Sequence, residues 1–221
     1  MSCALILAAG RGERLRPLTD ATPKPLISDG QDALIDRHLR ALAAAGVTQI
    51  VINLGWLGER ITAHVGDGAR FGVSVQYSNE GYPTLDTGGA IVRALPLLGT
   101  APFWVVNADI HTDFAFDRSA QALLGEYDAA IGLIDNPGYR ERGDFNVVDG
   151  MATNEPLMTF AGVALYRPAF FESCEAGRFS VVPLLRDAAN LGVLRAFELN
   201  AVWADVGTPD RLADIRRQVT G

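Results

Sequence analysis

Cys3-Ala4-Leu5-Ile6-Leu7-Ala8-Ala9, running straight into Gly10-Arg11-Gly12-Glu13-Arg14-Leu15-Arg16-Pro17-Leu18-Thr19, is the stretch on which the reading of this chain turns. The apolar run is too short to cross a bilayer, and no positively charged segment precedes it as in a secretory leader. It fits a strand buried on both faces, the pattern of a parallel sheet. The basic, glycine-containing segment then falls at the carboxyl end of that strand, where open α/β sheets bind ligands.

Working outward, short apolar runs alternate with helical spacing. Leu34, Ile35, Leu39 and Leu42 share one face of a helix expected over 33–45, with Gly46 as its stop. Strand patterns at 49–54, 73–78 and 103–106 are separated by helical patterns at 56–65 and 89–98. Further strands are expected at 129–134 and 157–166, and a helix at 181–191. Thr208-Pro209 opens a last helix, with Thr as N-cap and Pro in the first turn. Such alternation predicts an α/β fold: a Rossmann-like three-layer sandwich around a mostly parallel sheet. No repeat or Gly/Ser linker divides the 221 residues, so 1–221 is expected to form one domain.

Composition narrows the function. A formal net charge of -7 argues against a nucleic-acid polymer or an anionic membrane as partner, since both reward dense Lys and Arg. A small anionic ligand needs only a few cations placed locally. Two cysteines, Cys3 and Cys174, make neither a disulfide framework nor a zinc spacing, and a cytoplasmic location is expected. No protein partner is implied.

The segment 8–25 holds Arg11, Arg14, Arg16 and Lys24, with Gly10 and Gly12 and prolines at 17, 23 and 25. A dinucleotide fingerprint would need a third glycine where Leu15 stands, and a Walker loop would need Gly-Lys-Ser/Thr; both fail. Glycines let amides approach phosphate oxygens, arginine offers a matched fork of donors, and prolines reduce the entropy lost on binding. A basic solvated turn is the alternative.

Gly10-x-Gly12-x-Arg14-x-x-Pro17-Leu18-Thr19, followed by Pro23-Lys24-Pro25, resembles the signature of the sugar-1-phosphate nucleotidyltransferases. That resemblance implies that Ala8, Gly10, Gly12, Glu13 and Arg14 hold a nucleoside triphosphate, with Lys24 beside its α-phosphate. It also implies a reaction in which the oxygen of a sugar phosphate attacks the α-phosphorus and pyrophosphate leaves. A phosphate monoester is already mostly ionised at neutral pH, so positioning and charge cancellation matter more than a strong base. Mg2+ held by one or two carboxylates suits that task. Asp109, after the apolar strand Phe103-Trp104-Val105-Val106, and Asp205, after a late strand, match the family's metal-sharing acids. A lone Asp at a strand end is otherwise a cap or turn former. His111 reads as structural or supporting, and His38 and His64 fall within helices. No Gly-x-Ser-x-Gly elbow offers a hydrolase nucleophile.

The segment Asn79-Glu80-Gly81-Tyr82-Pro83-Thr84-Leu85-Asp86-Thr87-Gly88-Gly89-Ala90 is expected to read the base through Glu80 and Gly88, or else to be a plain strand-to-helix loop capped by Asp86 or Thr87. A narrower resemblance, to the N-acetylmuramate 1-phosphate uridylyltransferases, runs through Asp86-Thr87-Gly88-Gly89, Arg142-Gly143-Asp144-Phe145 and Trp203-x-Asp205-Val206-Gly207-Thr208. It implies UTP and a sugar 1-phosphate as substrates, with Asn107, Gly143, Asp144 and Gly162 at the sugar. Asn107 also reads as a buried turn residue, and Asp144 as the close of a hairpin. The wider family presents Glu-Lys-Pro to the sugar phosphate, whereas this chain has Asn154-Glu155-Pro156, which leaves Arg140, Arg142, the metal or another cation for that task. Other hexose 1-phosphate nucleotidyltransferases, and a non-catalytic nucleotide-sensing homologue, are the competing readings.

Overall fold

The computed structural model of the protein describes residues 3–116 and 120–220, the side chains of Ala120 and Gln121 excepted. In chain order the strands are β1 (Cys3–Leu7), β2 (Gln49–Leu54), β3 (Ser74–Asn79), β4 (Phe103–Asn107), β5 (Ile110–Thr112), β6 (Ala129–Asp135), β7 (Phe145–Val148), β8 (Met151–Tyr166), β9 (Leu194–Glu198) and β10 (Trp203–Asp205). The helices are α1 (Leu18–Ala21), α2 (Leu34–Ala44), α3 (Gly58–Val65), α4 (Asp86–Leu98), α5 (Ala120–Leu124), α6 (Val181–Asn190) and α7 (Pro209–Thr220).

The main sheet runs β3-β2-β1-β4-β8-β6-β9, with β7 paired to β8. β1 to β4 are mutually parallel and β6 is parallel to β9, while β8 runs against its neighbours. Alternation along β1 divides the core. Ala4 and Ile6 face a cluster with Ile35, Leu39 and Ile61 from α2 and α3. Cys3 and Leu5 face Ile91, Ala94, Val181 and Leu185 from α4 and α6. Both faces of the sheet are therefore covered, which is why its strands read as continuous apolar runs. A third cluster joins Leu15, Ile27 and Leu34 to Val206, Leu212 and Ile215, docking α7 against the first loop.

Three expectations are corrected. The strand expected at 157–166 begins at Met151 and carries Pro156 within it. The adjacent β7 residues Asn146 and Phe145 pair with Thr153 and Met158, so the β8 residues between these two leave the ladder with β7, where a proline that cannot donate is tolerated. The helix expected at 56–65 starts at Gly58, because the Trp56 amide is bonded to the Ala9 carbonyl at 3.1 Å and Leu57 is left-handed at φ 52°. Neither Asp86 nor Thr87 caps α4. Asp86 is already its first residue, at φ 61°, and the Thr87 hydroxyl accepts the Val181 amide at 3.0 Å instead.

Candidate active site

The first loop is shaped by Gly12 and pinned by Leu15. Gly12 is left-handed at φ 68°, and a Cβ there would lie 3.0 Å from Thr19 and 3.2 Å from the Lys24 side chain. Its carbonyl receives the Leu15 amide at 3.0 Å and the Thr19 hydroxyl at 2.9 Å. Leu15 is buried in the α7 cluster, so Arg14 next to it is turned outward and exposed. Trp56 braces the loop from the side, with its indole donating to the Thr19 carbonyl at 2.9 Å and the Arg11 guanidinium over its ring.

Lys24 is 7% exposed and donates to Asp109 Oδ2 at 2.7 Å. Asp109 follows β4, as expected. Asp205 arrives differently from the expectation: it ends β10, which leaves the main sheet and pairs antiparallel with β5. In that pairing Asp205 lies opposite Ile110, and the Val206 amide donates to the Asp109 carbonyl at 2.9 Å. A two-stranded ribbon thus brings the distant acid beside the first. Arg14 joins them, since a Cβ on Gly207 would sit 2.9 Å from Asp205 Oδ2 and 3.3 Å from Arg14 Nη2. Asp205 itself accepts from Arg211 at 2.6 and 2.7 Å and from the Tyr139 hydroxyl at 2.6 Å. Burial, and then that hydrogen bond, push the Tyr139 phenol up to about 12.

The ribbon is held from behind. His38 lies 3.0 Å from the Ile110 carbonyl through Nε2, which must therefore carry the proton. Burial takes its pKa down to about 4, so the ring is neutral. His111 meets Asp29 at 3.2 Å, and Asp29 takes two bonds from Arg37. Burial alone would raise the Asp29 pKa, but the Asp32 and Gln31 amides and Arg37 bring it below its ordinary value. His64 bonds Asp36, away from these groups.

These elements enclose a cavity of about 490 Å³. Ala8, Gly10, Gly12, Glu13, Arg14 and Lys24 line it, all from the first loop and its surroundings. Glu80, Asn107 and Asp109 complete its far wall, and Gly207 borders it while Asp205 stands just behind. Glu80 has both oxygens engaged, by Asn53 at 2.7 Å and the Leu85 amide at 2.8 Å. Asn53 escaped the sequence reading. It is 3% exposed, lines the cavity and also accepts the Ala8 amide at 2.5 Å, tying the first loop to Glu80. An amide side chain inside the apolar run 50–54 was the available signal, since a buried polar group needs partners.

Three expected residues stand elsewhere than anticipated. The Gly88 amide is spent on the Phe179 carbonyl at 2.9 Å, and a Cβ there would strike the Phe179 ring at 2.3 Å; Gly88 seats a neighbouring loop rather than facing the cavity. Gly143 is packed on the β8 backbone, where a Cβ would meet Met158 at 2.3 Å. Asp144 binds Arg140 at 3.0 Å and the Phe160 amide at 3.1 Å, so neither lines this cavity and Arg140 is already occupied. Asn154-Glu155-Pro156 is likewise remote: Asn154 bonds Arg186 and Asn190 on α6. Gly162 fits better. At φ 73° it lies where a Cβ would be 2.7 Å from the Asn107 amide, and both residues line a second cavity of about 160 Å³.

Asp109 and Asp205 fit a hard divalent cation. They offer oxygen donors just before β5 and at the end of its partner β10, each carboxylate now balanced by a cation, Lys24 or Arg211. Among the described residues no third His, Cys, Asp or Glu joins them. That is the donor set of an ion shared with phosphates, not of a closed protein cage.

Residues 3–148 match the family described as nucleotidyl transferase. The chain is 42% identical to the N-acetylmuramate alpha-1-phosphate uridylyltransferase of Neisseria meningitidis serogroup B, over 96% of this chain and 95% of that one. It is 32% identical to the protein of the same name from Caulobacter vibrioides, over 93% and 92%. The crystal structure of HddC from Yersinia pseudotuberculosis, complexed with GMP-PN, superposes with a TM-score of 0.83 at 22% identity and covers both chains fully, so the fold is shared. A family match over the first loop and Asp109, and relatives aligned over nearly their whole length, lead to one conclusion: the chain belongs to the nucleotidyl transferase family.

Proposed function

We propose that the protein transfers a uridylyl group from UTP to N-acetylmuramate 1-phosphate, with Mg2+, giving UDP-N-acetylmuramate and pyrophosphate. The observation that carries the reaction class is the meeting of Arg14 and Lys24 with Asp109 and Asp205 at one cavity. The identity to the Neisseria meningitidis protein, 42% across nearly the whole chain, supports the substrates.

In this reading the triphosphate lies along the first loop, where the amides of Gly10 to Glu13 and the Arg14 guanidinium bind its outer phosphates. Lys24 meets the charge that gathers on the α-phosphoryl oxygens as the sugar phosphate oxygen forms its bond to phosphorus. The bond to the β-phosphate oxygen breaks, and its electron pair leaves with pyrophosphate. Mg2+, held by Asp109 and Asp205, supplies neutralisation of phosphate charge when bound. The Asn53–Glu80 pair fixes the wall against which the base lies, and Asn107 with Gly162 bounds the sugar side. UTP is a cytoplasmic substrate, and the reaction belongs in that compartment. Among the described residues no helix is long and apolar enough to cross a membrane.

A pyrophosphate-release assay across UTP, GTP, dTTP and ATP, each with N-acetylmuramate, mannose and glucose 1-phosphates, tests the reading. The highest kcat/KM is expected for UTP with N-acetylmuramate 1-phosphate. Preference for GTP with mannose 1-phosphate would overturn it.

A further inference from the structure

Among the described residues, three cationic side chains line the main cavity: Arg14, Lys24 and Arg178. The first two stand at the acids. Lys24 is paired with Asp109, and Arg14 approaches Asp205 at Gly207. Arg178 is exposed and its guanidinium has no hydrogen-bond or ion-pair partner among the described residues.

Its position is fixed by the backbone around it. The Phe179 carbonyl receives the amides of Gly88 and Gly89 at 2.9 and 3.1 Å, and the Phe179 amide donates to Leu85 at 3.1 Å. The Thr87 hydroxyl then takes the Val181 amide. A Cβ on Gly89 would lie 2.0 Å from the Gly177 carbonyl, so both glycines of α4 are needed for this turn to close on the helix. Arg178 is thereby carried on a clamped turn rather than on a free loop.

The turn borders two spaces. Leu7, Asp86, Thr87 and Asn107 line both cavities, and Ser180 to Val182, just after Arg178, line the smaller one. That smaller cavity is walled mainly by apolar side chains such as Val105, Phe160 and Tyr166, and among the described residues no Lys or Arg lines it. A sugar seated there with an anionic substituent could not bury the charge against that wall without a large desolvation cost. The substituent has to turn toward the seam between the cavities. Asp86 at the seam is itself an acid and makes an unpaired anion costlier still, which leaves Arg178 as the cation to meet it.

We propose that Arg178 binds the carboxylate of an acidic sugar 1-phosphate at this seam and so selects it over a neutral hexosamine phosphate. This rests on the substrate reading under Proposed function, where the lactyl ether of N-acetylmuramate supplies the carboxylate. Arginine suits the task because its planar fork binds a carboxylate through two parallel hydrogen bonds.

The test compares wild type, Arg178→Gln and Arg178→Lys with UTP and either N-acetylmuramate 1-phosphate or N-acetylglucosamine 1-phosphate, which lacks the lactyl group. Arg178→Gln is expected to cut the ratio of kcat/KM between acid and neutral sugar by about tenfold to a hundredfold, chiefly through KM for the acid, as loss of a charge-assisted bond would. Arg178→Lys should recover part of that ratio. An unchanged ratio in Arg178→Gln overturns the proposal, and so does an equal rise in KM for UTP, which would assign Arg178 to the nucleotide. If wild type itself fails to use the acid, the substrate reading has failed, a result visible before any variant is compared.

Discussion

Lys24 stands in an environment unusual for its type. Lysine is seldom buried unless paired, and here the whole side chain lies along Gly12 to reach Asp109. A buried ammonium fixed in direction stabilises developing phosphate charge without reorganising at the moment of reaction. Lys24→Ala is therefore expected to lower kcat by about two to three orders of magnitude, comparable to removing one oxyanion donor. Steady-state turnover with saturating UTP checks this, and a variant retaining near wild-type kcat would remove Lys24 from the chemistry. The residues that sequence reading assigned to this end of the cavity were legible because charge, spacing and strand ends coincide in 8–25. Asn53 was not, because nothing in a strand's own pattern says what a buried amide will touch.

At the scale of elements, the joint between α4 and the turn at 177–180 is the most demanding contact. Gly89→Ala would drive a Cβ against the Gly177 carbonyl, a backbone atom with no rotamer to yield, so the turn itself must shift. Overpacking of this kind costs about 1–3 kcal/mol. A lowered melting temperature is expected, together with faster trypsin cleavage after Arg178 as the turn loosens; both unchanged would contradict the packing described. The Gly88-Gly89 pair was visible as a motif, and Gly88 was expected at the base; in the structure its amide is taken by the Phe179 carbonyl. The sequence places two glycines at a helix start, and only packing reveals that they make room for the turn at 177–180.

For the whole molecule, the covered sheet has a consequence for acid stability. His38, on α2, faces the β5 ribbon, with Nε2 donating to the Ile110 carbonyl and Nδ1 without a hydrogen-bond partner among the described residues. Its folded pKa of about 4 is below the unfolded value of about 6.5. Between those values the unfolded chain takes up a proton that the folded chain refuses. The stability contributed by the neutral ring is thus complete above about pH 6.5 and is lost as pH falls toward 4, by about 3 kcal/mol in all. Denaturant melts at pH 7 and pH 4.5 are expected to show a smaller acid loss in His38→Gln than in wild type, by about 2–3 kcal/mol. Equal losses would mean that the ring is hydrated rather than buried.

The sequence by itself determined the layered α/β fold and the nature of the first loop, because apolar periodicity and glycine-arginine spacing act over a few residues at a time. It also marked Asp109 and Asp205 as acids at strand ends. Tertiary structure decided how those acids meet, through a ribbon of β5 and β10 outside the main sheet, and it moved Gly88, Gly143 and Asp144 away from the main cavity. It also brought forward Asn53 and Arg178, which lie far from the first loop in sequence and share its cavity. The reason is physical: local pattern fixes which way a segment's backbone runs, whereas the neighbours a side chain acquires depend on which segments pack together, and no short stretch of chain encodes that alone.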